Sequence, residues 1–214
     1  VDITRLLSAD AEHRVPYLAF QPDAVQNTPV LPIGEISTSY YLRMRVADQA
    51  GVLADITKIL AAHGVSNFKS VQIIGAGGTA RAAAAAVDAP GRTIEVISRN
   101  VARESDMKRA VSLASLSFTP WENISLNADL VINTTPMGAA DLFPSGNGVL
   151  FESLYNPWPT QLAAKWDGKV IDGLDLLIHQ AIDQLHLMTG FVIDRNLMSQ
   201  LLRAAGEAEL KDRQ

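Results

Sequence analysis

The 214 residues carry 48% hydrophobic and 19% charged side chains, a mix that closes a hydrophobic core, leaves room for two small domains and excludes a disordered chain. The formal charge of −5, from 18 Lys and Arg against 23 Asp and Glu, excludes a broad basic footprint for nucleic acid. Cysteine is absent, which excludes disulfides, thiolate nucleophiles and cysteine-based zinc sites together.

Pro16, Pro22, Pro29 and Pro32 punctuate the start of the chain. Each fixes φ and removes a donor, so this stretch is predicted to be extended or turn-rich, with Leu6, Tyr17, Leu18 and Phe20 as apolar anchors. Arg43 and Arg45 alternate with apolar neighbours in Tyr40–Val46, the period of a half-buried strand. Val52, Leu53, Ile56, Ile59 and Leu60 then recur at helical spacing, and Gly64 stands where a C-cap is expected. A strand follows somewhere within Val65–Ile74.

From there the pattern becomes short apolar runs separated by helical stretches. Strands are predicted at Val71–Ile74, Thr93–Ser98, Asp129–Asn133, Val149–Leu154 and Lys169–Ile171, with a weaker one near Ser117–Phe118. Helices are predicted at about 78–88, 101–115, 160–166, 174–189 and 194–208. Continuous apolar strands are buried on both faces, so the alternation predicts an α/β fold with a doubly wound parallel sheet over 71–214. Residues 1–70 form an extended segment and a β-α unit before it.

The glycine-rich turn Gly75-Ala76-Gly77-Gly78-Thr79-Ala80 lies between the strand Val71–Ile74 and a helix opening at Arg81. Glycines here permit a tight turn and let a pyrophosphate approach the helix N-terminus, where free N–H groups favour anions. By itself the triplet also fits an ordinary strand–helix turn. At the end of the next strand, where an NAD-binding fold usually places an acidic residue for the ribose, stand Ser98, Arg99, Asn100 and Arg103. Two guanidinium groups four residues apart suit a 2′-phosphate, although neighbouring charges also suit a solvated helix start. The run Asp129–Asn133, continuing through Thr134 and Thr135 to Met137, puts hydrogen-bonding groups at the carboxyl end of the sheet, where such folds bind ligands. Tyr155-Asn-Pro-Trp-Pro-Thr160 and Asp172-Gly173-Leu-Asp-Leu-Leu-Ile-His-Gln180 complete the set.

With these five motifs in order, residues 71–214 resemble the NADP-binding C-terminal half of shikimate dehydrogenases. The resemblance implies a Rossmann-like domain and a family reaction, the NADP-linked interconversion of shikimate and 3-dehydroshikimate. It implies that Gly75, Ala76, Gly77, Gly78, Thr79 and Ala80 hold the pyrophosphate, and that Ser98, Arg99, Asn100 and Arg103 take the 2′-phosphate side. Asn133, Thr134, Thr135, Met137 and Gly173 would serve the rest of the cofactor, and Tyr155 and Gln180 the substrate. Glu152 stands where that family often has Asp. The family's N-terminal half carries a Ser-x-Ser substrate motif and a catalytic Lys segment followed by an Asp, and no stretch before Gly75 carries these together. The two lysines there, Lys58 and Lys69, lack the surrounding motif, so the catalytic residues are unassigned.

Residues 1–70 instead resemble the C-terminal part of homoserine dehydrogenases. His13–Pro22 is similar to the segment before that family's regulatory domain. Ser37–Val46 through Gly51–Thr57 resembles the opening β-α of an ACT domain, with Ala50 where the motif commonly has Pro. Such domains bind amino acids at the loop after the first strand, here Asp48–Leu53, and usually across a homodimer. The chain thus reads as a composite of two unrelated enzyme pieces joined near Val65–Ile74. Tyr40–Val46 either joins the sheet by a βαβ crossover or belongs to a partial ACT unit that pairs through its open edge.

No stretch approaches the roughly 20 apolar residues of a membrane span, and Val1 opens without the regions of a signal peptide, so a soluble cytoplasmic protein is expected. His179, Asp183 and His186 share a helix face but read as a polar stripe rather than a metal site. Trp121, Trp158 and Trp166 read as packing residues, Asp172 as a turn or cap residue, and Ser98 lacks a partnered histidine. Three functions stay open: an NADP-dependent oxidoreductase of shikimate dehydrogenase type with little turnover alone, a non-catalytic nucleotide-binding chimera, and an amino-acid-sensing fragment. Because the ACT pattern is truncated, threonine is expected not to bind; saturable micromolar heat in isothermal titration would contradict this.

Overall fold

Six short strands, apolar along most of their length, stack side by side with helices before and between them. The computed structural model describes residues 51–122 and 124–212. Helix α1 (Gly51–Ala62) is followed by β1 (Ser70–Ile74), α2 (Gly78–Val87), β2 (Thr93–Ser98), a 3₁₀ turn at Val101–Arg103, α3 (Glu104–Ala110) and β3 (Ser115–Pro120). Then come β4 (Leu130–Asn133), β5 (Val149–Glu152), α4 (Gln161–Ala164), β6 (Val170–Ile171), α5 (Gly173–Thr189) and α6 (Arg195–Asp212). The strands form one parallel sheet of order β3-β2-β1-β4-β5-β6. This is the expected Rossmann-like fold.

Alternation along the strands supplies both faces. Val71, Ile73, Leu130, Ile132 and Phe151 face a core shared with Ala80, Ala83 and Ala84 of α2 and Ile56, Ile59 and Leu60 of α1. Ile74, Val131 and Leu150 face the other side, against Phe143, Leu162 and Trp166. The alanine run of α2 lets that helix lie close to the sheet, and α1 packs on α2 and α5. Gly64 closes α1 at φ +73°, with Val65 N–H donating to Leu60 O at 2.8 Å and Gly64 N–H to Ala61 O at 2.9 Å, the C-cap that the sequence predicts.

β1 is paired on both sides, by β2 and β4, so any further strand joins this sheet beyond β3 or β6. The predicted strand Tyr40–Val46 and the ACT-like loop up to Ala50 lie outside the described residues.

The predicted helix over 101–115 is instead a 3₁₀ turn and a seven-residue helix. Asp88 accounts for its end. Its carboxylate accepts the N–H groups of Ser112, Leu113 and Ala114 at 2.7–2.9 Å, and the chain then extends into β3. Burial works against that carboxylate's charge, but the three N–H donors and the Ser112 hydroxyl outweigh it and lower its pKa. The weak strand at Ser117–Phe118 thus becomes six residues, hard to see in sequence because this edge strand keeps little of itself buried. β5 stops at Glu152 rather than Leu154, whose N–H turns back to the Glu152 carboxylate at 3.2 Å.

Asp172 caps α5 through Leu174 N–H at 3.1 Å, as its place at a strand end suggests. With Asp175 it also binds Arg203 of α6 at 2.6 Å, pinning the last helix to the sheet's carboxyl edge. Between them Gly173 donates its N–H to Leu154 O at 3.2 Å, and a Cβ there would collide with the Ser153 carbonyl. Gly173→Ala is therefore expected to lower stability in urea unfolding by about 1–3 kcal/mol through overpacking. Gly77→Ala, whose Cβ meets open space, leaves the midpoint unchanged.

Candidate functional site

The strand order reverses at β1, with β2 on one side and β4 on the other. Crevices that bind ligands open at such a switch point, beyond the carboxyl ends of the strands. The loops after β1, β2, β4 and β5 and the start of α5, which carry most of the predicted site residues, stand at that end of the sheet, whereas Gln180 lies two turns into α5.

Gly75 turns the chain out of β1 at φ +107°, a conformation that disfavours side chains. A Cβ at this position would also lie 2.6 Å from Thr134 Oγ1. Thr134 is held there by its own hydroxyl and N–H, which donate to Ile74 O at 2.8 and 3.0 Å. Gly77 and Gly78 are exposed, and nothing lies within 4 Å of their Cβ positions. The first helical bond of α2 is Arg81 N–H to Gly77 O at 3.1 Å, and Gly77 offers no capping side chain. The N–H groups of Gly78, Thr79 and Ala80 thus precede any helical acceptor, at the positive end of a ten-residue dipole.

After β2, Ser98 is half-buried while Arg99, Asn100 and Arg103 are exposed. Asn100 caps the 3₁₀ turn, its Oδ1 accepting from Ala102 N–H at 2.9 Å. The Arg99 guanidinium lies 5.1 Å over the Trp121 ring, which packs edge-on against Phe143 at 4.5 Å. Trp121 is a packing residue, but tertiary structure also brings it a basic neighbour that local sequence does not.

After β4, Asn133 is buried at 2% exposure and its amide is fully engaged. Nδ2 donates to both oxygens of Glu152 at 3.0 and 2.9 Å, while Oδ1 accepts from Thr135 N–H at 3.1 Å and Thr135 Oγ1 at 2.7 Å. Thr135 is buried too, and the loop emerges at Met137, 65% exposed. Tyr155 is exposed, and Gln180 is half-buried on α5. A cavity of about 180 Å³ opens between the loops after β4 and β5, lined by Met137, Asp141, Pro159 and Thr160 with Asn133 and Glu152.

Sequence reasoning passed over Glu152 as a minor departure. It is fully buried, and burial pushes its carboxyl above the usual range against the hydrogen bonds from Asn133, Leu154 and Thr160. A glutamate within an apolar strand was the available signal. A second buried group lies away from the crevice, between α1, α5 and the start of α6. There Asp55 Oδ1 and His179 Nδ1 sit 4.0 Å apart with no hydrogen-bond partner. Burial raises the Asp55 pKa and lowers that of His179. Of the polar stripe, Asp183 pairs with Arg195 and His186 Nδ1 meets Phe191 O. Among the described residues no three metal-ligating side chains converge, and no helix is long and apolar enough to cross a membrane.

No family model matches the chain. It is similar to the homoserine dehydrogenase of Pseudomonas aeruginosa, 46% identical over 71 residues, which is 33% of this chain and 16% of that protein. It is also similar to NADP(+) shikimate dehydrogenases. That of Maridesulfovibrio salexigens is 26% identical, covering 79% of this chain and 66% of the relative; that of Methanosarcina acetivorans is 32% identical, covering 64% and 56%. Among solved structures, the shikimate dehydrogenase of Mycobacterium tuberculosis matches with TM-score 0.56 at 26% identity, over 72% of this chain and 62% of that one. The Thermus thermophilus enzyme, in complex with NADP(H) and shikimate, matches with TM-score 0.55 at 25% identity over the same shares. The chain spans 54–66% of the shikimate dehydrogenase relatives and 14–16% of the homoserine dehydrogenase relatives. Its likenesses are thus composite, as the sequence motifs indicate. The shares of 33% and 79% together exceed the chain by 12%, so one stretch resembles both families.

Proposed function

We propose that the chain is an NADP-binding oxidoreductase domain of shikimate dehydrogenase type with little or no turnover by itself. The observation carrying this reading is the start of α2: three N–H groups without helical acceptors, beside two exposed glycines, at the sheet's switch point. Backbone of this kind fits a pyrophosphate, and the space that a Cβ would fill at Gly77 and Gly78 is open to it. Gly75 through Ala80 would hold the pyrophosphate, and Ser98, Arg99, Asn100 and Arg103 the 2′-phosphate side. Thr134, Thr135 and Met137 would flank the remainder, with Asn133 acting from beneath, and Gly173 would keep the start of α5 against that wall. When bound, NADP(H) supplies or accepts the hydride. Tyr155 and Gln180 would orient a shikimate-like polyol.

The cofactor preference follows from Arg99 and Arg103, which favour a dianion where an acidic residue would repel it. NADPH should bind more tightly than NADH, and Arg99→Ala should remove most of that difference, about 1–3 kcal/mol for a charge-assisted contact. Equal affinities in the parent, measured by fluorescence titration, would end this reading.

Turnover is a separate matter. Oxidising a carbinol also requires removing the hydroxyl proton, and a positioned acid–base group contributes about 10²–10⁴-fold. Among the described residues neither lysine before Gly75 offers one. Lys69 precedes β1, at the opposite end of the sheet from the glycine turn, and Lys58 lies near Asp55 on α1. Asp172 is committed to Arg203 and to the α5 cap. The chain is therefore expected to bind NADPH yet reduce 3-dehydroshikimate near the background rate. Steady NADPH consumption within about a hundredfold of an intact relative, abolished by Gln180→Ala, would reveal an acid–base group supplied by the remainder of the chain.

A further inference from the structure

At 0% exposure, Glu152 is a fully buried carboxylate in the wall of the crevice. Its oxygens join the loops that follow two paired strands, beyond the last backbone bond between them, Ser153 N–H to Asn133 O at 3.0 Å. Oε1 accepts from the Asn133 amide at 3.0 Å and from Leu154 N–H at 3.2 Å. Oε2 accepts from the same amide at 2.9 Å and from the Thr160 hydroxyl at 3.0 Å. On one side Asn133 passes the restraint to Thr135 and so to the loop that carries Met137. On the other, Leu154 and Thr160 bracket the segment that carries Tyr155, and Thr160 also caps α4 through Ala163 N–H at 3.1 Å. Both loops wall the same cavity of about 180 Å³.

We propose that Glu152 is a positioning residue that holds the cofactor-facing loop Thr134–Gly138 and the substrate-facing segment Tyr155–Thr160 in register, acting through Asn133, Leu154 and Thr160. This rests on the dinucleotide reading above. The donor–acceptor pattern leaves no freedom. Asn133 must present Nδ2 to Glu152, because a flipped amide would face Nδ2 toward the Thr135 N–H. The group opposite must accept on both oxygens, which a carboxylate does and an amide does not. A glutamine at 152 sets a donor against Asn133 Nδ2 in either orientation, and flipping Asn133 moves the conflict to Thr135. A buried donor is then left unpaired, and the two loops relax apart.

The exchange of the two groups restores the donor–acceptor match between positions 133 and 152 and keeps the bonds to Thr135 and Leu154, while the Thr160 hydroxyl has to turn from donor to acceptor. With Asn133→Asp and Glu152→Gln together, the new carboxylate accepts from Thr135 and from the new amide, whose oxygen takes Leu154 N–H. The experiment compares Glu152→Gln, Asn133→Asp and the double variant in the full chain, by NADPH titration and by the Met137 methyl resonance without cofactor. Each single variant should weaken NADPH about tenfold or more and displace the Met137 resonance, the cost expected of one unpaired buried group. Asn133→Asp, which sets two carboxylates side by side, should weaken further as pH rises. The double variant should return both readouts toward the parent. A folded Glu152→Gln with parental NADPH affinity and an unmoved Met137 methyl overturns the proposal. So does a double variant no better than the singles, including the case in which the singles do not fold. If the parent itself fails to bind NADPH, the dinucleotide reading falls, and the Met137 resonance alone decides the register.

Discussion

The double pairing of β1 governs this molecule. Because β2 lies along one side of it and β4 along the other, the connections that follow β1 and β4 cover opposite faces of the sheet: α2 packs on one face, and Ala140 and Phe143 of the segment after β4 pack on the other. The crevice beyond the strand ends is the consequence. The candidate binding elements stand at that crevice: the glycine turn, the arginines after β2, and the loops after β4 and β5. Gln72, buried in the middle of β1, strengthens the same pairing. It donates to Glu95 on β2 and to Ser125 O, and accepts from Asn127 and Ala128 ahead of β4. A polar side chain at the centre of the sheet is tolerable because each of its groups is matched.

Helix α1 shows how a composite chain satisfies one core. The stretch Gly51–Thr57 resembles the first helix of a regulatory domain in another enzyme, yet Ile56, Ile59 and Leu60 enter the core beneath α2 and α5. An amphipathic stripe of aliphatic residues is portable, since burial of apolar surface is not directional. Polar groups are less portable. Asp55, on the same buried face, meets His179 without a hydrogen bond, whereas His63 just past the helix finds Asp175 at 2.7 Å. The join is well matched in its hydrocarbon and mismatched at one buried carboxylate.

Much of the architecture was legible in the chain itself. Strand positions followed from short runs of three to six residues, the helices from their spacing and caps, and the crevice from a glycine turn placed directly after a strand. Gly64 and Asp172 were readable as cap residues because capping is a local matter of φ and of one side-chain oxygen. The same local rules misjudged the end of α3. What stops that helix is Asp88, more than twenty residues earlier, reaching across to three consecutive N–H groups.

The site divides along the same line. Sequence alone nominated the candidate residues: glycines with room for a phosphate, guanidinium groups in place of a carboxylate, and the missing lysine motif. These are properties of residue type and spacing. Only the tertiary structure decided which of them face a ligand and which face one another. Thr134 spends its hydroxyl on β1, Asn133 spends its whole amide on Glu152 and Thr135, and Trp121 lies under Arg99. Hydrogen-bonding capacity is written in the side chain, but its allocation depends on groups that become neighbours only when distant strands pair, and no local pattern encodes that.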